Sequence, residues 1–139
     1  MEEYNFSGEK YMGYIDNIED QTLQNTNFRK VLFTGKHMQL VVMSLKPNEE
    51  IGEEVHENVD QFFRIEKGEA KFVIDGQENV VGENMVVIVP AGSLHNVINT
   101  SSSQDLQLYT IYSPANHPEG TVHATKADAM EAEANEHGE

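Results

Sequence analysis

Eight short segments rich in valine, isoleucine, phenylalanine and tyrosine recur along this chain at close intervals, over 28–34, 39–45, 53–56, 61–65, 70–74, 85–89, 95–99 and 106–112. Turn signals separate them: Thr34-Gly35, Pro47-Asn48, Lys67-Gly68, Asp75-Gly76, Pro90-Ala91-Gly92 and the run Thr100-Ser101-Ser102-Ser103. Short strands at this spacing predict an all-β antiparallel sandwich or barrel. Asp75-Gly76, with Phe72-Val73-Ile74 before it, is the pattern of a two-residue hairpin, because both residues tolerate the positive φ that such a turn needs.

Around this β region the composition changes. Residues 1–24 are polar with scattered aromatics (Tyr4, Phe6, Tyr11, Tyr14) and are read as an N-terminal arm that packs on the body or on a second subunit. The barrel is expected over 25–115. A Pro/Gly loop follows from 116, then a short helix from Lys126 to about Asn135 with Thr125 as N-cap and Asp128 three residues on, and a terminal acidic tail. At 139 residues the chain is one domain by size and needs no disulfide to bury a core.

Composition narrows the chemistry. There is no cysteine, so any metal must be held by nitrogen and oxygen ligands. Nine basic against 24 acidic residues give a formal charge of −15, which phosphate backbones and anionic membranes repel; neither nucleic acid nor a membrane is an expected partner. The longest apolar run, Met85 to Val89, is too short to cross a bilayer, and Met1-Glu2-Glu3-Tyr4 carries no secretory n-region. The expected location is cytoplasmic.

Two histidines, His56 and His95, stand in β-like stretches, each beside a turn. Their surroundings resemble the paired motifs of a known family. The pattern G-x5-P-x-G-x2-H-x3-N is met by Asn84, Pro90, Gly92, His95 and Asn99, with Asn in place of the leading Gly. The pattern G-x5-H-x-H-x3,4-E-x6-G is met in spacing by Asn48, Glu54, His56, Gln61 and Gly68. Asn again replaces the leading Gly; it is the next most tolerant residue for a left-handed turn. Glu replaces the first His, and Gln the Glu. Over residues 40–112 the chain therefore resembles a single-domain cupin of the small cupin-2 type. The resemblance implies a double-stranded β-helix, the jelly-roll barrel, here with an N-terminal arm and a short C-terminal helix.

Carried over position by position, the resemblance implies Glu54, His56, Gln61 and His95 as ligands of one divalent metal ion (Fe, Mn, Zn, Ni or Co). The donor set is similar in kind to that of phosphomannose isomerase. Strand geometry is consistent with it: Glu54 and His56 are two apart and share a face, as do Gln61, Phe63 and Ile65. Two imidazoles and a carboxylate are also the set that holds non-heme Fe(II) with open positions.

Two classes of function follow. One is a metal-dependent enzyme, isomerase-like or dioxygenase-like, in which the metal acts as a Lewis acid on a small organic molecule and Glu54 or a loop histidine moves the proton. The other is a non-catalytic barrel that binds or senses a small molecule. The resemblance also implies a homodimer. Among the remaining residues, His37 is expected in a turn, and His117 and His123 beside a loop that either closes the barrel mouth or docks on the surface. Phe62, Phe63, Phe72 and Tyr109 are expected in the core or pocket wall. Arg64 should point away from the metal, and one of Arg29 and Lys30 inward.

Overall fold

Alternation along the strands decides what faces the interior. In a computed structural model that describes residues 13–137, β3 (Asp60–Lys67) and β8 (Leu106–Ser113) bury every second residue. They lie side by side in register, Gln61 opposite Tyr112, Phe63 opposite Thr110 and Ile65 opposite Leu108. With β1 (Arg29–Thr34), β2 (Gln39–Leu45), β6 (Val86–Val89) and β9 (Val122–His123) they form a six-stranded antiparallel sheet in the order β6-β3-β8-β2-β1-β9. β4 (Ala70–Ile74), β5 (Gln77–Val81) and β7 (His95–Asn99) form a second sheet in the order β5-β4-β7. The expected all-β jelly roll is what forms.

The space between the sheets is filled by Met43, Leu45, Phe63, Ile65, Ala70, Phe72, Val97, Leu106 and Leu108, none more than 1% exposed. Phe63 and Phe72 meet edge to face with centroids 4.9 Å apart. Removing a Phe, Leu or Ile side chain from water contributes about 1.5–3 kcal/mol.

The turns carry the chemistry expected of them. Asp75 and Gly76 have φ of 50° and 85°, and Ile74 pairs with Gln77 across them. Asn48 and Asn84, the two departures from glycine, both take positive φ, 64° and 71°. Gly68 is required twice over: its φ is 97°, and a Cβ there would meet the Asp105 carbonyl at 2.9 Å.

Two expectations are corrected. The segment 53–56 is not a strand. Its backbone runs beside β7 but pairs only through isolated bridges, Glu50 to Ile98 and Glu54 to His95, because Gly52 at φ 105° breaks the ladder between them. Phe62 and Tyr109 lie outside the core. Alternation puts them on the outer face of the six-stranded sheet, where they stack on each other with centroids 6.1 Å apart; Phe63 and Phe72 are core.

Residues 1–12, with Tyr4, Phe6 and Tyr11 of the expected arm, lie outside the described residues, as does the end of the acidic tail at 138–139. Within the expected arm a short helix forms, α1 (Ile18–Gln24), capped by the Asn17 side chain on the Asp20 amide. Gln107 on β8 donates to the carbonyls of Thr22, Leu23 and Asn25, which satisfies the helix end and fixes it on the sheet. The C-terminal helix α2 (Lys126–His137) starts where the sequence puts it, with the Thr125 hydroxyl accepting from the Asp128 amide at 3.0 Å. No helix among the described residues is long and apolar enough to cross a membrane.

Candidate metal centre

One antiparallel pair brings the first two donors together. Glu54 and His95 exchange both backbone hydrogen bonds, at 2.9 and 3.0 Å, so their side chains leave on the same face. His56, two residues beyond Glu54, shares that face, and its carbonyl accepts from the Gly92 amide at 2.9 Å, which ties the Pro90-Gly92 turn to the segment. Donor atoms of Glu54, His56 and His95 all lie within 4.8 Å of one another. His56 Nε2 is 3.2 Å from Glu54 Oε1, and the two imidazole centroids are 5.5 Å apart.

His95 is buried and oriented. Its Nδ1 is 3.0 Å from the Ser93 carbonyl, which can only accept, so Nδ1 carries a proton and, in the neutral ring, Nε2 presents its lone pair. That Nε2 is buried with no hydrogen-bond partner. Gln61 repeats the situation on the opposite sheet. Its Nε2 donates to Thr110 Oγ1 at 3.0 Å, which leaves Oε1 buried and unpartnered. A buried acceptor without a donor costs about 1–3 kcal/mol; a cation between Glu54, His56 and His95 would satisfy the one on His95, and Gln61 offers a second on the facing sheet. By donor type and by these two orphaned atoms, the residues fit a divalent ion.

Glu54 faces inward with its side chain 22% exposed, while its neighbour Glu53 is exposed. Burial alone would raise the Glu54 carboxyl. The hydrogen bond from His56 and the positive charge of His56, Arg29 and His95 outweigh that and hold it below the usual carboxylate range. Glu57 and Asp60 are exposed, and Asp60 is occupied in accepting from the Ala91 amide.

The hollow extends past these residues along β8. The Tyr112 ring sits edge-on to His56, centroids 5.8 Å apart, and its hydroxyl is 3.2 Å from His117 Nε2. The loop carrying His117 docks on the barrel. Gln39 accepts from the amides of Asn116 and His117 and donates to the His117 carbonyl. Burial above all, with the nearby Arg29 charge, pushes His117 down to about 3, so it stays neutral. Arg29 is the inward-facing member of its pair, 1% exposed, and its charge reaches Glu54, Tyr112 and His117. Arg64 points away and donates to Asn84. His37 is exposed in the β1–β2 turn.

Sequence reading missed Tyr112, Thr110 and Gln39 as site residues. The signal was there, since Leu106, Leu108, Thr110 and Tyr112 alternate on one face. Asn99 proves structural: its amide donates to the carbonyls of Leu45, Lys46 and Gln104, and its side-chain oxygen accepts from Ser101.

A double-sheet jelly roll with nitrogen and oxygen donors gathered in its hollow defines a class of small barrel proteins. This chain belongs to the cupin family, whose Cupin domain profile matches residues 41–112. It is 51% identical over 127 residues to an uncharacterised Bacillus subtilis protein, YrkC, a match spanning 86% of this chain and 67% of that one. It is 46% identical over 113 residues to an uncharacterised protein of Acanthamoeba polyphaga mimivirus, spanning 78% and 70%. The crystal structure of a Bacillus halodurans protein superposes with a TM-score of 0.83 at 42% identity, covering 85% of this chain and 93% of that one.

Proposed function

We propose that this cupin is a metal-dependent enzyme acting on a small organic molecule, of isomerase or dioxygenase type. The observation that carries the reading is the buried, partnerless Nε2 of His95, on a residue that offers a donor atom within 4.8 Å of donors from Glu54 and His56. In this reading Glu54, His56 and His95 hold the ion, and Gln61 supplies a fourth donor through its unpartnered Oε1. A divalent ion held there, of the Fe, Mn, Zn, Ni and Co group, supplies Lewis acidity to a substrate oxygen. The chain does the rest. Ser93 fixes the His95 ring through Nδ1. Glu54, ionised at neutral pH, serves both as ligand and as acceptor of a substrate proton through its second oxygen. Tyr112, His117 and the docked loop narrow the mouth and exclude water.

Elemental analysis of the reloaded protein tests the reading. One ion per chain, lost in His95→Leu, together with turnover of an enediol, sugar or diketone, is the expected result. Stoichiometric metal with no turnover on a broad panel reduces the protein to a binding barrel, and no metal in any form ends the proposal. We take the working form to be a homodimer, a reading supported by the exposed Val86 and Ile88 on edge strand β6, 48% and 62% exposed. Sedimentation at micromolar concentration checks it.

A further inference from the structure

Arg29 is the largest of the fully buried side chains, and the site described above uses its charge but none of its hydrogen-bond donors. A guanidinium has five N–H donors and cannot shed its charge, so burial demands acceptors around it. This one has few. One nitrogen, Nη1, is 3.2 Å from Glu133 Oε2 and 3.4 Å from His123 Nδ1, while Nε is buried with no partner. The Phe28 ring lies 5.3 Å from its central carbon. Two residues along the same face of β1, Val31 fills its place with hydrocarbon. Packing alone therefore does not explain an arginine at position 29.

The partner it does have is a provisional one. Glu133 belongs to α2, its side chain is 40% exposed, and it meets the guanidinium through one oxygen at one nitrogen. A carboxylate held for good by arginine is usually gripped by two parallel hydrogen bonds. Here α2 leans in from outside, with Ala129 as its buried contact, and Glu133 reaches from solvent into the mouth. The charges of Arg29 and Glu133 both reach Tyr112, whose ring meets His56 edge-on.

We propose that Arg29 is the anchor for the carboxylate of a small organic acid and that Glu133 holds this place until the acid displaces it, so that α2 is a latch on the mouth. The inference rests on the metal reading only for the far end of the substrate. An acid with a second oxygen donor, such as a keto or hydroxy acid, would reach from Arg29 to the ion held by Glu54, His56 and His95. A planar carboxylate already sits on the guanidinium, which favours that chemistry over a phosphate.

The test uses the full chain, stripped of metal and in parallel reloaded, titrated with propionate, with propionamide as neutral control and inorganic phosphate as the rival anion. In metal-free Glu133→Ala, propionate should bind at least tenfold tighter than in wild type, and propionamide should not gain. Arg29→Met in that background should abolish the gain. If the arginine variant does not fold, the contrast between propionate and propionamide decides alone. Equal propionate affinity in wild type and Glu133→Ala overturns the proposal. So does undetectable binding in both, an equal gain for propionamide, tighter binding of phosphate than propionate, or a gain that survives Arg29→Met. Because these arms need no ion, a failed metal analysis sinks the metal reading and leaves this one standing, and the converse also holds.

Discussion

The hollow of this cupin has two ends built by the same strands, and they are finished in opposite ways. At the floor, β3, β8, β2 and β4 turn Ile65, Leu106, Leu108, Leu45, Ala70 and Phe72 inward, all fully buried. At the mouth the first three of those strands turn in Gln61, Thr110, Tyr112 and Gln39, just as deeply buried, and His95 joins them at 3% exposure. The floor leaves no polar atom to satisfy. The mouth leaves Gln61 Oε1 and His95 Nε2 without partners. Interiors normally mate such atoms, so one end of this barrel is finished by packing and the other, in the proposed reading, by a ligand.

The contrast is sharpest in stability measurements. Phe72→Ala should cost about 3–5 kcal/mol in urea unfolding, since the ring is fully buried against Phe63 and the cavity cannot collapse. His95→Leu, at the mouth, should change the stability of the metal-free protein by less than about 1 kcal/mol, because removal of the orphaned Nε2 offsets loss of the Nδ1 hydrogen bond to the Ser93 carbonyl. Comparable losses at both would break the contrast. Metal should narrow the gap. A saturating ion at a hundred times its dissociation constant adds about 2.7 kcal/mol. Phe72→Ala should receive that increment in full and His95→Leu none of it, read as the shift in urea midpoint with and without chelator.

Acid should also separate the two ends. His117 is held neutral to about pH 3, whereas in the unfolded chain it protonates near the ordinary 6.5. Below 6.5 the unfolded state therefore binds the extra proton. Stability falls as the pH drops from about 6.5 toward 3, by up to about 1.4 kcal/mol per unit from this group. His117→Gln should flatten that limb, and Phe72→Ala should shift the whole curve without changing its shape.

The floor was the more legible end. Alternation with period two put Phe63 and Ile65 on one face, Phe72 was expected in the core or pocket wall, and the positive-φ residues Asn48, Asp75 and Asn84 mark their turns through chemistry local to two or three residues. At the mouth, the family spacing singled out Glu54, His56 and His95, which the fold brings together through the pairing of Glu54 with His95, and Gln61, which is buried on β3. What sequence could not show is long-range. Glu133 meets Arg29 from 104 positions away, and nothing local to an alanine-rich acidic helix singles out one glutamate. The error at 53–56 has a local cause: the apolar and polar pattern was read as a ladder, while Gly52 had already broken it. Phe62 and Tyr109 misled because aromatic residues usually signal a core, and here they cover the outside of a sheet through each other.

The finest test of the contrast is Gln61→Leu. The substitution removes the orphaned Oε1 but also takes the hydrogen bond from Thr110 Oγ1, and these two effects, each about 1–2 kcal/mol, oppose one another. The volume is nearly kept, so no large cavity adds to the cost. In metal-free protein the net change should fall within about 1 kcal/mol of zero. Metal affinity should drop at least tenfold, because Leu offers no oxygen where Gln61 offers one. A loss near that of Phe72→Ala would mean that Gln61 is a packed wall element like the floor residues. Unchanged metal affinity would mean that the ion needs only Glu54, His56 and His95, and that the orphaned amide oxygen is satisfied by something other than a metal.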